Sequence, residues 1–154
     1  MDKDTYDKSR DDKSHPILLK HNLFIAWNPE YDLGIPIIDE QHRGIVSTIN
    51  SLYFGTQNNY AKDILTPIVD MVFNYTRIHF QVEEDFLYMA DFPAAKKHHD
   101  LHSELSSNLS RASRGSIFHK DPREFIDFLK NWWINHICKE DLIYRDYFRK
   151  TTEK

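Results

Sequence analysis

Two pairs of potential metal ligands lie at helical spacing in the middle of the chain. His79 and Glu83 are four residues apart, and so are His98 and His102, which follow the helix-breaking segment 91–93. A four-residue step along an α-helix returns to within about 40° of the same direction, one turn further on. Each pair can therefore point its donor atoms at a common centre, and this predicts a metal site between two helices.

Five histidines in all fall on helix faces that the apolar pattern predicts to be buried. They are His42, His79, His98, His102 and His136. One buried histidine is usually a core residue with a single hydrogen bond, but five without a metal ion would each need a buried partner. His99 is an internal control, because a one-residue step turns it about 100° from His98 and toward solvent. With Glu83 and a second carboxylate, these imidazoles suffice for two metal ions.

The second carboxylate has two candidates near the last histidine. Glu140 follows His136 by four residues and lies nearly under it, whereas Asp141, five residues on, is turned about 140° away on an ideal helix. Asp141 would face the same centre only if the helix widened locally into a π-type turn. Ideal geometry therefore favours Glu140 slightly and leaves Asp141 open.

The types of ligand restrict the metal and its chemistry. Five imidazoles, two carboxylates and no thiolate suit Fe, Mn, Co, Ni, Cu or Zn, but not Ca or Mg, which prefer oxygen ligands. A hydrolytic di-zinc site is chemically allowed. The dry centre of a helix bundle leaves little room for a polar substrate, however, and a small apolar ligand such as O₂ suits it better.

The bulk composition indicates one helical domain. The chain has 154 residues, of which 40% are hydrophobic and only 4 are glycine. A formal charge of -4 gives no electrostatic reason to bind nucleic acid or an anionic membrane, and no segment approaches the roughly 20 apolar residues of a membrane span. A single cysteine and a charged beginning that lacks the apolar core of a signal peptide favour a cytoplasmic protein. We also expect it to be a monomer.

Four amphipathic patterns predict four helices. Residues 1–22 alternate Asp and Lys and are expected to form a flexible charged tail. The segment from Leu23 to Asp39 predicts an extended arm anchored by Trp27. The helices are predicted at about 39–55, 60–89, 93–112 and 121–148. Their lengths and short connections predict an all-α, up-down-up-down antiparallel four-helix bundle, with the domain spanning residues 23–150.

Several local signals predict where these helices begin and end. Asp39 is a suitable N-cap for the first helix, and Gly55 is a natural end for it. Pro67 leaves open whether the second helix starts near Thr66 or is kinked there. The segment 121–124, Asp-Pro-Arg-Glu, has the cap, the first-turn proline and the glutamate typical of a helix start.

Short motifs around the histidine pairs complete a recognisable pattern. They are Trp27, Gly34-Ile35, Asp39-Glu40-Gln41-His42, His79-Phe80, Glu83-Glu84, His98-x-x-x-His102, Trp132 and His136-Ile137-x-x-x-Asp141-x-x-Tyr144. In residue type and spacing this pattern resembles the hemerythrin family, and more closely the stand-alone bacteriohemerythrins within it. The resemblance extends over about residues 23–148.

The resemblance implies a non-haem di-iron site that binds O₂ reversibly. One iron would be held by His98, His102 and His136. The other would be held by only two imidazoles, those of His42 and His79, which leaves it an open coordination position for O₂.

The resemblance also implies that two carboxylates bridge the irons together with an oxo or hydroxo group. These would be Glu83 and Asp141, so the resemblance selects Asp141 where ideal geometry favours Glu140. An oxygen-binding role in storage, delivery or scavenging is then expected rather than an enzyme. The alternatives are an O₂ or redox sensor acting through a separate partner, a di-iron enzyme that handles peroxide or NO, and an iron buffer.

Five further side chains occupy positions that the family uses near its O₂ pocket or that adjoin them. They are Ile45, Phe80, Trp132, Trp133 and Tyr144. For any one of them, packing in the core is an equally good explanation. Trp133 departs from the family pattern, which usually has Leu three residues before the last histidine, and an indole there can narrow the cavity or slow O₂ exchange. Cys138 has no ligand role in the pattern and is expected to be a half-buried apolar residue.

Overall fold

Helices account for nearly all of the residues that the computed structural model describes, which are 23–114 and 122–152, and no β-strand occurs among them. The helices are α1 (Pro36–Gln57), α2 (Lys62–Met89), α3 (Ala95–Arg114), α4 (Pro122–Asn135) and α5 (Asp141–Thr152). A π-helical turn, His136–Glu140, joins α4 directly to α5, and a short 3₁₀ turn, Pro29–Tyr31, precedes α1. The all-α class predicted from the sequence is confirmed. The predicted tail at residues 1–22 and the predicted cap Asp121 lie outside the described residues.

The helices enclose a core of large apolar side chains. α1 packs on α2 and on α4, while α3 packs on α2 and more lightly on α4. The larger apolar cluster contains Ile45, Phe80 and Trp133, and a smaller one contains Leu87 and Tyr144. Cys138 packs half-buried against the larger cluster, as predicted. None of the described helices is long and apolar enough to cross a membrane.

The segment before α1 is tied to the bundle by specific contacts. The backbone N–H of Ile25 donates to Asn50 Oδ1 at 2.9 Å, and Asn50 Nδ2 donates back to the Ile25 carbonyl at 2.8 Å. The ring of Trp27 meets that of Trp133 edge-on, with centroids 5.7 Å apart. Through Trp133, this segment therefore touches the interior of the bundle.

The start of α1 differs from the prediction. The helix begins at Pro36, because proline has the backbone angle of a first helical residue and lacks the N–H that would be unpaired there. Asp39 is consequently inside the first turn and is not the N-cap. Its buried carboxylate instead accepts the backbone N–H groups of Leu33 at 2.7 Å and Gly34 at 3.1 Å. This fixes the path by which the chain enters the helix, with Gly34 at φ 81.

Gly55 and Pro67 also have roles that the sequence pattern did not indicate. α1 continues past Gly55 to Gln57, and a Cβ at position 55 would collide with the side chain of Leu65. Gly55 thus permits a close approach of α1 and α2. α2 already begins at Lys62, so Pro67 lies inside the helix, in its second turn. α3 begins at Ala95, two residues later than predicted.

The buried face of α2 is rotated from the predicted one. Ile64 and Tyr75 were expected on the inward side, but they are 52% and 37% exposed. Val69 and Thr76 are buried instead. Both sets belong to one wide apolar surface, and only the neighbouring helices decide which part of it is covered.

Candidate metal centre

One turn of α2 supplies two adjacent candidate ligands. His79 and Glu83 are both fully buried, and their Nε2 and Oε2 atoms lie 3.7 Å apart. The four-residue spacing that predicted this arrangement holds, because both residues lie on the α2 face covered by the other helices. The other candidate ligands reach the same point from α1, from α3, from the π-helical turn after α4 and from the start of α5.

The first group of donor atoms contains three imidazoles and one carboxylate. Glu83, His98, His102 and His136 each offer one atom, and all four atoms lie within 4.8 Å of one another. Glu83 Oε2 is 3.0 Å from His102 Nε2 and 3.3 Å from His98 Nε2. The Nε2 atoms of His102 and His136 are 3.1 Å apart. All four side chains are buried.

The second group contains two imidazoles and two carboxylates. His42, His79, Glu83 and Asp141 also bring one atom each within 4.8 Å of one another. His42 Nε2 lies 3.2 Å from His79 Nε2 and 3.4 Å from Asp141 Oδ2. Glu83 belongs to both groups. The structure therefore brings all seven predicted ligand side chains together, as two adjoining donor sets with one fewer imidazole in the second.

A π-helical turn decides which carboxylate faces the site. The backbone N–H of Asp141 donates to the carbonyl of His136, five residues earlier, and this widened turn rotates Asp141 onto the His136 face. Asp141 is fully buried, with Oδ1 3.3 Å from His98 Nε2, whereas Glu140 is partly exposed. The preference for Glu140 from ideal helical geometry is therefore wrong, because the helix is not ideal at this point.

Unsatisfied polar atoms indicate that a cation fits here. Both carboxylate oxygens of Asp141 are buried without a well-aligned hydrogen bond from any described residue, although imidazole nitrogens lie 3.3–3.5 Å away. A buried carboxylate whose neighbours are close but poorly aligned is costly without a cation. Two pairs of imidazole Nε2 atoms also face each other about as closely as neighbouring ligands of one metal ion, which stand roughly 3 Å apart when each bond is about 2.1 Å long. Imidazole and carboxylate donors in this ratio suit a transition metal.

The electrostatics of the ion-free site favour the neutral form for two of the imidazoles. Burial lowers the pKa of His79 to about 3 and that of His136 to about 4, so both nitrogens are available as ligands at neutral pH. Burial also tends to lower the pKa of His98. The adjacent carboxylates of Asp141 and Glu83 have the larger effect, however, and raise that pKa to about 10. Without a metal ion, a proton on His98 thus balances part of the carboxylate charge.

Two residues outside the donor groups contact the Nδ1 atoms of site imidazoles and orient the rings. The sequence analysis gave neither of them a role. Glu84, next to a candidate ligand, accepts from His102 Nδ1 at 2.8 Å and from His99 Nδ1 at 2.7 Å. Gln41 Oε1 lies 3.3 Å from His79 Nδ1. An acceptor at Nδ1 fixes the tautomer whose Nε2 lone pair points into the site. Glu84 and Gln41 each stand next in sequence to a predicted buried ligand. A polar residue in that position is the signal that could have identified both.

Two sequence predictions near these residues have clear outcomes. His99 is exposed, as expected for a residue rotated away from His98, and its prediction is confirmed. Tyr144 is fully buried and its hydroxyl donates to Glu83 Oε1. Burial holds the pKa of Tyr144 well above its usual value, so the hydroxyl remains a donor to that carboxylate.

Aromatic rings surround the donor atoms. All five side chains predicted to line a pocket are buried. The ring of Phe80 stacks on that of His102 with centroids 3.8 Å apart, and the ring of Trp133 meets that of His42 edge-on at 6.0 Å. A cavity of about 300 Å³ between α3 and α4 reaches Trp132 and His136. A second cavity, of about 200 Å³, reaches His98. Apolar surface thus encloses most of the site, and cavities approach it beside His136 and beside His98.

The family model and the known proteins that match this chain agree with one another. The model of the Hemerythrin HHE cation binding domain matches residues 33–147. A bacteriohemerythrin from Stenotrophomonas maltophilia is 28% identical over 126 residues, which are 79% of this chain and 80% of that protein. A bacteriohemerythrin from Pseudomonas aeruginosa is 30% identical over 129 residues, or 81% and 82% of the two chains. A hemerythrin from Sipunculus nudus is 27% identical over 121 residues, or 79% and 91%.

Proposed function

Since the chain belongs to the hemerythrin family, we propose that it binds O₂ reversibly at a non-haem di-iron centre, for storage, delivery or scavenging. The observation that carries the proposal is the pair of buried donor groups joined through Glu83. A carboxylate shared in this way can bridge two adjoining ions, and five imidazoles with two carboxylates are donors that iron accepts. When bound, two ferrous ions supply the two electrons that reversible O₂ binding requires.

We assign the ligands from the two donor groups. One iron would be held by the three imidazoles of His98, His102 and His136, and the other by those of His42 and His79. The carboxylates of Glu83 and Asp141 would hold both ions together, with an oxo or hydroxo group completing the centre. The unequal number of imidazoles supports the assignment, since it leaves a coordination position free on the His42 side for O₂.

The surrounding residues hold the ligands in place before O₂ arrives. Tyr144 donates to Glu83 Oε1 and leaves Oε2 directed toward the imidazoles. Glu84 and Gln41 hold Nδ1 of His102 and His79, respectively, so that these rings cannot turn away. A site assembled in advance in this way needs little reorganisation on binding.

Exclusion of water favours a carrier over an enzyme. The buried rings of Phe80, Trp132 and Trp133 and the side chain of Ile45 surround the donors with apolar surface. O₂ is small and apolar and can enter such a pocket, while water and polar substrates are disfavoured. By keeping water out, these side chains would also limit the supply of protons to the site.

An anaerobic spectrum of the iron-loaded protein before and after exposure to O₂ tests this proposal. A visible charge-transfer band that appears with O₂ and disappears under vacuum is the expected result. A band that forms and decays irreversibly, with steady consumption of peroxide or NO, would contradict carriage and indicate an enzyme. Rapid loss of iron to a mild chelator would indicate an iron buffer.

We also infer the arrangement of the helices from pairs of contacting residues. Gly44 of α1 lies against Tyr75 of α2, and Gly55 lies against Leu65. The residue number rises along α1 as it falls along α2, so the two helices are antiparallel. Ion pairs from Glu83 to His98 and from Glu84 to His102 connect α2 and α3 over a short turn. These pairings support an antiparallel arrangement of α1, α2 and α3. We propose that α4 and α5 complete an up-down-up-down bundle with residues 23–35 as an arm, within a domain of residues 23–150.

A further inference from the structure

α3 and α4 leave a cavity of about 300 Å³ between them. We name it the α3–α4 cavity, and its apolar wall is formed by Leu101, Leu105, Phe128 and Trp132. In other proteins, an apolar cavity of about half this volume, roughly 150 Å³, is large enough to bind benzene or xenon. The α3–α4 cavity therefore has the size and the lining of a site for a small apolar molecule.

The polar groups of the cavity lie mainly at its mouth. Asn131 and Asn135 belong to the lining and are exposed, so the cavity opens to solvent beside them. Asn135 Oδ1 already accepts a hydrogen bond from Lys139 Nζ at 2.9 Å. Among the described residues of the lining, Glu140 supplies the single carboxylate, which is too few ligands for a transition-metal ion of its own. The interior of the cavity thus favours an apolar ligand over a polar solute or a cation.

The inner end of the cavity leads to the donor atoms through two aromatic rings. Trp132 and His136 line this end, and their rings are nearly parallel with centroids 6.2 Å apart. Trp132 also meets Phe80 edge-on at 6.3 Å. The Phe80 ring in turn contacts that of His102 at 3.8 Å and that of His79 at 5.7 Å. Trp132 and Phe80 thus connect the cavity with both donor groups.

The side of the centre next to His42 is closed. Trp133 meets the His42 ring edge-on at 6.0 Å and is only 1% exposed. Trp27 and Tyr31 cover Trp133, with ring centroids 5.7 Å and 6.2 Å from its own. A cavity of about 370 Å³ beside Trp27 and Arg43 includes neither His42 nor Trp133 in its lining. Since the free coordination position is proposed on the His42 side, O₂ must reach it from another direction.

The neighbouring cavity of about 200 Å³ is a less suitable approach. It shares Leu101 and Glu140 with the α3–α4 cavity, but it ends at His98 and does not include Trp132. Lys97 adds a charged ammonium group to its lining. This cavity therefore reaches one donor group only, and its lining suits an apolar molecule less well.

We propose that O₂ enters and leaves the metal centre through the α3–α4 cavity, with Trp132 as the gate at its inner end. The proposal rests on the reversible O₂ binding proposed above, and it adds a site for a small apolar gas outside the metal centre. Because the Trp132 ring lies against those of Phe80 and His136, O₂ passes only when the indole turns aside. Such a gate changes the rates of binding and release together and leaves the equilibrium affinity unchanged.

Xenon tests the cavity itself, because it is apolar, small and visible by anomalous scattering in crystals of the iron-loaded protein. We expect xenon in the α3–α4 cavity of the natural chain and none there in Leu105→Trp, whose larger side chain fills the space. The matched control is Ile143→Trp, which enlarges a residue of the 200 Å³ cavity and should leave this xenon in place. Absence of xenon from the α3–α4 cavity of the natural chain would overturn the proposal.

Stopped-flow measurements of O₂ association and release test the route. Leu105→Trp should slow both at least about tenfold and change Kd by less than about twofold, while Ile143→Trp should change neither rate by more than about twofold. Trp132→Leu should accelerate both rates. A general loss of stability would not move both rates in parallel at constant Kd. If Leu105→Trp fails to fold, as judged by circular dichroism, Asn131→Phe at the exposed mouth takes its place.

The route and the proposed function fail in different ways. Unchanged O₂ rates in Leu105→Trp, or slower rates in Ile143→Trp alone, would overturn the route while reversible O₂ binding remained. A natural chain that holds iron but does not bind O₂ reversibly would refute the proposed function and with it the route. The xenon experiment would then still decide whether the cavity is a site for an apolar gas.

Discussion

At the level of single residues, the sequence neighbours Asp141 and Glu140 differ in burial and in the role that we propose for them. Asp141 is fully buried beside the imidazoles, and Glu140 is partly exposed. Asp141→Asn and Glu140→Gln each remove one negative charge without changing the volume. We expect Asp141→Asn to weaken iron binding by more than about 100-fold, since even residues behind a ligand contribute 10- to 100-fold. Glu140→Gln should leave it unchanged.

Competition with a chromogenic chelator, followed by measurement of iron per chain, distinguishes the two variants. Equal iron loss in both would mean that net charge near the site matters more than direct ligation. Normal iron content in Asp141→Asn would remove Asp141 from the proposed bridge. Because the two variants have the same net charge, any difference between them is local to the site.

Trp133 is the residue at which this chain departs most clearly from the family pattern. It is 1% exposed and contacts the rings of Trp27, Tyr31 and His42. Replacing it with Leu opens space beside His42, where O₂ is proposed to bind. We therefore expect Trp133→Leu to accelerate both O₂ binding and autoxidation, with a loss of about 1–3 kcal/mol in the free energy of unfolding.

Stopped-flow mixing of the reduced protein with O₂ measures these rates. Leu129→Ala is a suitable control, because Leu129 is fully buried in the same helix but belongs to the apolar core. It should lower stability without changing the O₂ rates. Unchanged rates in Trp133→Leu would mean that the indole serves packing alone.

At the level of helices, Pro67 is a local defect in α2. Inside a helix, proline cannot donate a hydrogen bond to the carbonyl one turn earlier. Pro67 is exposed, so replacing it disturbs no packing. We expect Pro67→Ala to raise the free energy of unfolding by about 1–2 kcal/mol, which is the gain in helix stability less the added entropy of the unfolded chain.

Pro36 provides the matched control, because it is also exposed but stands at the first position of α1, where proline is favourable. Pro36→Ala should be neutral or slightly destabilising. Denaturant unfolding of both variants gives the comparison. If Pro67→Ala is no more stable than the natural chain, the helix around residue 67 has already adapted to the proline.

For the whole molecule, iron connects the helices and should contribute to their stability. The seven candidate ligands come from α1, α2, α3 and the helix formed by α4 and α5, so bound ions join elements far apart in sequence. A ligand present at about 1,000 times its Kd stabilises the folded state by about 4 kcal/mol. Calorimetry should therefore show a Tm lower by roughly 10 °C after iron removal. An unchanged Tm would mean that the ion-free site is equally stable.

The iron-free protein should also have a stability maximum near pH 6.5. The pKa values of His79 and His136, lowered from 6.5 to about 3 and about 4, mean that the unfolded chain binds more protons below pH 6.5, so stability falls as pH decreases. The pKa of His98, raised to about 10, contributes stability that is complete below pH 6.5 and lost as pH rises toward 10. Denaturant midpoints between about pH 5 and 9 test this, and a profile with a steady slope would contradict it.

The sequence by itself determined the helical class and, apart from the second carboxylate, the set of residues that meet at the site. Four-residue spacing on regular helices is enough to align His79 with Glu83 and His98 with His102, because helical geometry is local. Hydrophobic periodicity likewise reports which stretches form helices. The assignment of these residues as iron ligands remains a prediction that the metal analysis will test.

Only the tertiary structure decided the features that depend on packing between helices. The π-helical turn that selects Asp141 over Glu140 departs from the regular geometry on which sequence reasoning relies. The face of α2 that is buried, and therefore the exposure of Ile64 and Met71, depends on where α1 and α3 lie. A periodic pattern identifies an apolar surface, but it cannot indicate which part of that surface a neighbouring helix will cover. That choice is made by contacts between residues far apart in the chain.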